Sequence, residues 1–339
     1  MIKRILVCFT GGTFSSDNKN NVMNVSTFVN EEFVELVKSR YKDVVEFRFI
    51  STVFMLSENM YPEVWEKITS DINLVLEKDS ELDGIILIHG SDTAAYTTSF
   101  LSYYYRRLPI PFVVTASNAP ITEQGSNGLN NFFSSIDFIL TSGLKGTFFS
   151  FQRNKDKGER TIHKADELLE ANSYTDEFSS TFPSAFGKIE NRRFIGRDQE
   201  KPKNIEKGEW KFEPFEYKYK VLGIMPFTGL DYSVFDLDSK NYKAVVHGSY
   251  HSCTQNSNMD IGYGDYSIVE FIKKCENKGI DFYLSNFPQN RLELPIYEST
   301  ERLVRLGAIP IYLPFESAYT KAIFIYNHTM ENKRDFMMK

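Results

Sequence analysis

The chain has 339 residues, 42% apolar and 25% charged, with a formal net charge of -6. That balance is ordinary for a globular protein and excludes a disordered or fibrous chain; the length suits two domains or one large α/β domain. No basic stretch interrupts the mild acidity, so the sequence carries no footprint for nucleic acid.

Met1-Ile2-Lys3-Arg4 leads into the short apolar run Ile5-Leu6-Val7-Cys8-Phe9, which ends at Thr10-Gly11-Gly12-Thr13. The run is too short for a signal-peptide core and reads as a buried parallel strand. No apolar stretch has the length of a membrane-spanning helix. Cys8, Cys253 and Cys275 are odd in number, far apart and without a CxxC, which points to a reducing, cytoplasmic setting without a disulfide framework or zinc site.

Residues 44–54 are rich in β-branched and aromatic types and predict a strand. Pro62 then introduces a helix over 63–77, with Val64, Trp65, Ile68, Ile72, Val75 and Leu76 on one face. Gly84-Ile85-Ile86-Leu87-Ile88 predicts another buried strand, His89-Gly90-Ser91-Asp92 a turn, and Thr93 the start of a helix. Residues 109–115 form the next strand, and Phe148-Phe149-Ser150-Phe151 reads as buried strand. Residues 152–216 are rich in charge, and 197–211 read as a solvated linker. A second β-α pattern follows. Its strands are 221–225, 243–247 and 280–284, and its helices 267–275, 297–306 and, last, 318–326.

This rhythm predicts an α/β protein. A larger N-terminal domain (1–195) has a mostly parallel sheet with helices on both faces, a linker spans 196–220, and a smaller α/β domain spans 221–339. Ligands bind at the carboxyl ends of such strands, where the polar glycine-bearing turns fall: residues 10–13, 89–93 and 115–118.

Two of these turns present hydroxyls. Thr10 and Thr13 flank Gly11-Gly12, and Ser91 stands beside Asp92. A hydroxyl becomes a nucleophile when a base removes its proton and donors face the developing oxyanion. A lysine with a depressed pKa can be that base. The parts suit hydrolysis of a small amide. Taken singly they are ordinary: Gly11-Gly12 reads as a tight turn, Ser91-Asp92 as a helix cap, and Lys164, beside His163 and Asp166, as a surface residue.

Thr10-Gly11-Gly12-Thr13-Phe14 after the first strand, with Ile88-His89-Gly90-Ser91-Asp92-Thr93 after the third, resembles the bacterial-type L-asparaginase family. That family has Thr-Gly-Gly-Thr and His-Gly-Thr-Asp-Thr at these places. Residues 113–120 and 128–131 are similar to the strand and helix that follow. Lys164 falls where the family places its catalytic lysine. Tyr297-Glu298-Ser299 and residues 316–321 are similar to the C-terminal domain of the cytoplasmic branch.

The resemblance implies that Thr13 is the acylated nucleophile and that Ser91, Asp92 and Lys164 form a second triad that orients water or relays protons. It implies that Ser57 and Glu58 hold the substrate's α-carboxylate and α-amino groups, with Asp92 pairing with the α-ammonium. It implies no metal or organic cofactor, a small amino-acid amide as substrate, and a homodimer or homotetramer in which one C-terminal domain completes the neighbour's site.

Three features depart from the family pattern. Residues 15–32 hold no tyrosine, although the family carries one on a mobile loop about a dozen residues after the nucleophile. Ser91 replaces threonine. Glu58 and Asn59 stand where glutamine and aspartate are common. The missing tyrosine motivates two readings of residues 247–254: an ordinary strand-end turn, or a lip on which Tyr250 and His251 replace the phenol. It also motivates an alternative to the amidohydrolase, an amino-acid-binding or sensing protein that lost turnover. A further alternative is the amidase half of a tRNA-dependent amidotransferase. Tyr103-Tyr104-Tyr105 reads either as an interface patch or as partly core.

Overall fold

A computed structural model describes residues 2–12, 14, 16–19, 22–25, 31–153, 158–175, 177–182, 184–197, 212–258, 264–287, 297–329 and 332–338. The chain divides into two compact units, Met1–Phe215 and Glu216–Lys339.

Unit 1 opens on β1 (Lys3–Gly11). The hairpin of β2 (Ser16–Lys19) and β3 (Val22–Val25) follows, then α1 (Glu31–Tyr41) and β4 (Val45–Met55). Next come α2 (Pro62–Leu76), β5 (Gly84–Ile88), α3 (Ala94–Tyr104), β6 (Pro111–Thr115), α4 (Gly128–Thr141) and β7 (Gly146–Gln152). The unit closes on β8 (Arg160–Lys164), β9 (Gly187–Glu190) and β10 (Arg193–Gly196).

The large sheet runs in the order β10-β9-β8-β7-β6-β5-β1-β4. Strands β4, β1, β5, β6 and β7 are parallel, as the alternating pattern predicted. Strands β8, β9 and β10 extend the sheet with antiparallel pairing. Successive side chains of a strand point to opposite faces. One face carries Ile5, Val7, Ile86, Val113, Phe148 and Ile162, packed with Phe33 and Val37 of α1 and Phe132 and Ile136 of α4. The other takes α2 and α3, whose Trp65 and Phe100 stack 4.4 Å apart, while Tyr105 stacks on Phe112 at 5.3 Å. A strand buried on both faces needs apolar residues at every position, which is why β5 reads Gly-Ile-Ile-Leu-Ile.

Strand β4 pairs with one edge of β1 and β5 with the other. Chain order therefore reverses at β1. In open α/β sheets the crevice at such a reversal, at the carboxyl ends of the strands, is where ligands bind.

Unit 2 contains β11 (Lys220–Ile224), β12 (Tyr242–His247), α5 (Ile268–Asn277), β13 (Asp281–Leu284), α6 (Glu298–Arg305), β14 (Ile309–Pro310), α7 (Phe315–Tyr326) and α8 (Lys333–Met338). Its sheet has the order β11-β12-β13-β14, with every pair parallel. Val245, Ile268, Ile272, Leu284 and Leu303 build its core.

Several details differ from the sequence reading. Helix α8 follows the helix expected to be last. Phe212 and Phe215 fall within the span expected as a linker, yet they pack on unit 1: Phe212 against Tyr104 and Tyr105, Phe215 against Phe100. Two aromatic side chains in a charged stretch find apolar cover there. The same packing puts Tyr104 and Tyr105 in the core, at 4% and 1% exposure, rather than in a surface patch. Among the described residues, no helix is long and apolar enough to cross a membrane.

Candidate active site

The reversal point is built by glycines. Gly11 and Gly12 have φ of 91° and 75°, a region that disfavours a side chain. The register of β1 against β4 shifts between Phe9 and Gly11, and the Gly12 N–H donates to the Met55 carbonyl at 3.0 Å. A Cβ on Gly12 would lie 2.7 Å from Gly90 Cα and 2.8 Å from Gly90 N. The turns after β1 and β5 thus touch backbone to backbone. Gly90 in turn faces the segment after β4, because a Cβ there would lie 2.7 Å from Ser57 Cβ. Three strand-end segments, 11–12, 57 and 89–91, meet at one point.

The hydroxyls separate by environment. Thr10 is buried, and its Oγ1 donates to the Ile88 carbonyl at 2.9 Å, a bond that ties β1 to β5. Thr13 lies outside the described residues. Its neighbour Phe14 is 2% exposed and meets Phe33 edge-on at 5.3 Å. Ser57 is buried, and its carbonyl accepts from Thr93 Oγ1 at 2.8 Å; Glu58, next to it, is exposed. Ser91 is half-buried and Asp92 exposed. Neither caps α3: the cap position is Thr93, whose hydroxyl turns to Ser57 instead. The capping alternative for Ser91-Asp92 therefore gives way, and among the described residues no cap bond engages the Ser91 hydroxyl or the Asp92 carboxylate.

His89 is fully buried behind this turn. Its Nδ1 lies 2.8 Å from the Gly90 carbonyl. A carbonyl only accepts, so Nδ1 carries the proton. Burial pushes the imidazole down to about 4, against the opposing pull of that bond and of Asp92, so the ring is neutral at neutral pH. Its Nε2 is a buried acceptor without a hydrogen-bond partner in the described residues.

Strand parity decides the surroundings of Lys164. It pairs opposite Phe148 in β7 and shares a face with Ile162, the side covered by α4. Its Nζ lies 4.7 Å from the centre of the Phe186 ring and 3.9 Å from Glu167, which also pairs with Arg197 at 3.3 Å. Lys164 thus has a buried carboxylate and an aromatic ring beside its ammonium. His163, one residue earlier, faces the opposite way. Its ring lies 2.8 Å from Ser180 Oγ and 3.0 Å from Thr161 Oγ1, and burial pushes it down to about 3.

Glu170 lies within electrostatic range of Asp92. Burial raises it above the usual carboxylate range, a hydrogen bond from the Tyr96 hydroxyl opposes that shift, and the charge of Asp92 adds to it. Sequence reasoning passed over both Glu170 and Tyr96. A signal was present: Tyr96 falls four residues after Asp92, in the first turn of α3, so it projects near the same strand tip. The parity of Arg160, Ile162 and Lys164 was equally legible, with apolar Ile162 marking the α4 side.

The third polar turn is structural. Asn118 and Asn127 exchange backbone-to-side-chain bonds of 2.9 Å in both directions, and Asn131 ties Ala116 to Gln152. These bonds fix the end of β6 against α4 and β7. Tyr250 and His251 belong to unit 2, on a tight turn closed by the Cys253 N–H on the Tyr250 carbonyl at 2.8 Å. Among the described residues no cluster of His, Cys, Asp and Glu could hold a metal. Asp92 and Glu170, both exposed, make the tip acidic and suited to an ammonium group.

Residues 4–200 match the family model described as Asparaginase, N-terminal. An L-asparaginase of Thermococcus kodakarensis is 26% identical over 331 residues, 97% of this chain and 94% of its own. A glutamyl-tRNA(Gln) amidotransferase subunit from the same organism is 24% identical over 347 residues, covering 97% of this chain and 73% of its own. In fold, the chain is similar to the solved thermostable L-asparaginase from Thermococcus kodakarensis, with a TM-score of 0.77 at 23% identity over 99% of this chain and 97% of that one.

Proposed function

The chain belongs to the asparaginase family of amidohydrolases, and on that premise we propose that it hydrolyses the side-chain amide of L-asparagine to aspartate and ammonia. The Thr13 hydroxyl attacks the amide carbon, ammonia leaves, and water then cleaves the resulting ester. Asp92 holds the substrate's α-ammonium, and Ser57, Glu58 and Ser91 complete its surroundings. One observation carries the reading: the glycines of the β1 and β5 turns touch at the reversal point, which leaves Ser91 and Asp92 uncommitted to α3.

Lys164 enters on a condition. Its ammonium lies 3.9 Å from Glu167, and Lys164→Met tests whether it relays protons. Purified protein should release ammonia from L-asparagine, and Thr13→Ala should reduce kcat on the order of 10^4-fold. If Lys164→Met falls comparably, the relay role stands. If it stays within a few-fold, the base belongs to the Glu170–Tyr96 side. Full ammonia release by Thr13→Ala would overturn the threonine mechanism. Amino-acid binding without turnover, by folded protein, would favour the sensing alternative, for which Tyr250 and His251 would have supplied no substitute phenol.

A second reading rests on the likeness to the amidotransferase chain. In it the ammonia passes to a glutamyl-tRNA through a partner protein. It predicts weak release from the isolated protein and a rise with a copurifying partner and tRNA. The leading proposal takes the protein as a cytoplasmic homodimer or homotetramer, and light scattering of the pure protein decides between the assemblies.

A further inference from the structure

The second unit carries a cavity of its own, apart from the strand tips of unit 1 described above. It has a volume of about 200 Å³ at the carboxyl ends of β11 and β12, lined among others by Phe227, Tyr232, Tyr250, Gln255, Asn256 and Tyr266. Among the described residues no ionisable acid or base lines it other than the tyrosines. Two of its lining residues, Tyr232 and Gln255, belong to one hydrogen-bond network. The Gly248 carbonyl accepts from Gln255 Nε2 and, at 2.6 Å, from His247 Nδ1. Burial pushes His247 down to about 4, so the ring is neutral and its Nε2 is an acceptor. The Tyr232 hydroxyl, 2.9 Å away, must therefore donate to it. Two consequences follow. The Tyr232 proton is committed inward, so its oxygen offers only lone pairs elsewhere. The Gln255 amide cannot flip, because its nitrogen must face a carbonyl, and its Oε1 has no hydrogen-bond partner among the described residues although the residue is only 7% exposed. The turn carrying Tyr250 ends at Cys253 in a left-handed conformation, φ 60°, the kind of local cost often kept at ligand sites.

We propose that this cavity binds an uncharged, single-ring molecule bearing an N–H donor, of which a ring-linked primary carboxamide is the simplest form. The aromatic walls take the ring, and a void of this order holds one ring. The buried acceptor Gln255 Oε1 takes the N–H. A charged ligand is refused because nothing beside it would offset its desolvation.

The test uses the full chain carrying Thr13→Ala, so that no amide is turned over, and reads ligand by NMR and by crystal soaking. Benzamide is compared with acetophenone, which replaces the amide nitrogen by a methyl, and with benzoate. Benzamide should occupy the cavity and bind at least about tenfold more tightly than acetophenone, because a site built around a hydrogen bond rejects the analogue lacking it. Benzoate should not bind. Gln255→Leu should lower benzamide to the level of acetophenone. Should that variant fail to fold, Tyr266→Ala at the rim should weaken benzamide several-fold. Equal binding of acetophenone or benzoate, unchanged affinity in either folded variant, or no benzamide in the cavity at about 10 mM would overturn the proposal.

Discussion

Each unit ends a central strand in His-Gly-Ser, and the two tips diverge from there. His89 after β5 and His247 at the end of β12 are both buried and neutral. Both are pushed down to about 4, and both hold their Nδ1 proton on the carbonyl of the following glycine. Both glycines are sites of close approach, Gly90 to Ser57 and Gly248 to Met225 and Pro226. The next side chains differ. Unit 1 continues with Asp92, near Glu170, and becomes an acidic tip suited to an ammonium group. Unit 2 continues with Tyr250 and builds an uncharged aromatic cavity. His89 Nε2 has no hydrogen-bond partner among the described residues, whereas His247 Nε2 receives Tyr232. The same backbone device presents either chemistry, so the ligand class is set by the residues one to three positions beyond the glycine.

The largest expected effect tests what the tips share. In the unfolded chain these imidazoles protonate near 6.5, while the native state holds them neutral to about 4, and His163 to about 3. The unfolded state therefore binds protons first as pH falls. Stability is full above about 6.5 and is lost between there and the native values, by an amount of order 3 kcal/mol per histidine. Unit 1 holds two such histidines, His89 and His163, and unit 2 one. Hydrogen exchange at pH 7 and pH 4.5 should show protection falling further in β5 and β8 than in β12. Equal protection at both pH values would mean that the imidazoles are not held neutral.

The next effect separates the tips. A methyl on Gly90 meets Ser57 Cβ and backbone with little room to yield, so Gly90→Ala should cost about 1–3 kcal/mol and reduce ammonia release at the same time. A methyl on Gly248 meets chiefly the Met225 thioether, the end of a flexible side chain. Gly248→Ala should cost less than about 1 kcal/mol. Thermal unfolding of the two variants checks the difference, and equal costs would dissolve the distinction.

Much of this was legible in the chain. The buried runs at β1, β5 and β6, and the Pro62 entry to α2, carry their own physical signatures, and the glycine turns mark the strand tips by composition alone. What was not legible depends on tertiary register. That Gly12 touches Gly90 is a fact about two strands 78 residues apart in sequence (12 and 90). That Lys164 faces Phe186 follows from the parity of β8, which a one-residue slip would reverse. Glu170 joins Asp92 only because the chain beyond β8 folds back to α3. The Phe212 and Phe215 packing was hidden by the charges around them, which set the composition of the stretch but not the fate of its two rings.

A single hydroxyl separates the two histidines, and removing it tests the difference between them. Tyr232→Phe keeps the ring that packs on Phe271 at 5.1 Å and deletes only the hydroxyl that donates to His247. His247 Nε2 then becomes a buried orphan like that of His89. The cost should be about 1–3 kcal/mol, that of leaving one buried acceptor unsatisfied, and should be confined to unit 2. It should leave ammonia release unchanged, since the proposed chemistry lies on unit 1. The variant also changes the cavity in a defined direction: without the Tyr232 proton, a ligand N–H is the group able to satisfy His247 Nε2 if it can reach past the ring. Benzamide should therefore recover part of the lost stability in Tyr232→Phe, measured as a larger rise in Tm than in the parent protein. An equal rise would show that the ring edge seals the imidazole from the cavity and that Gln255 Oε1 alone reads the donor.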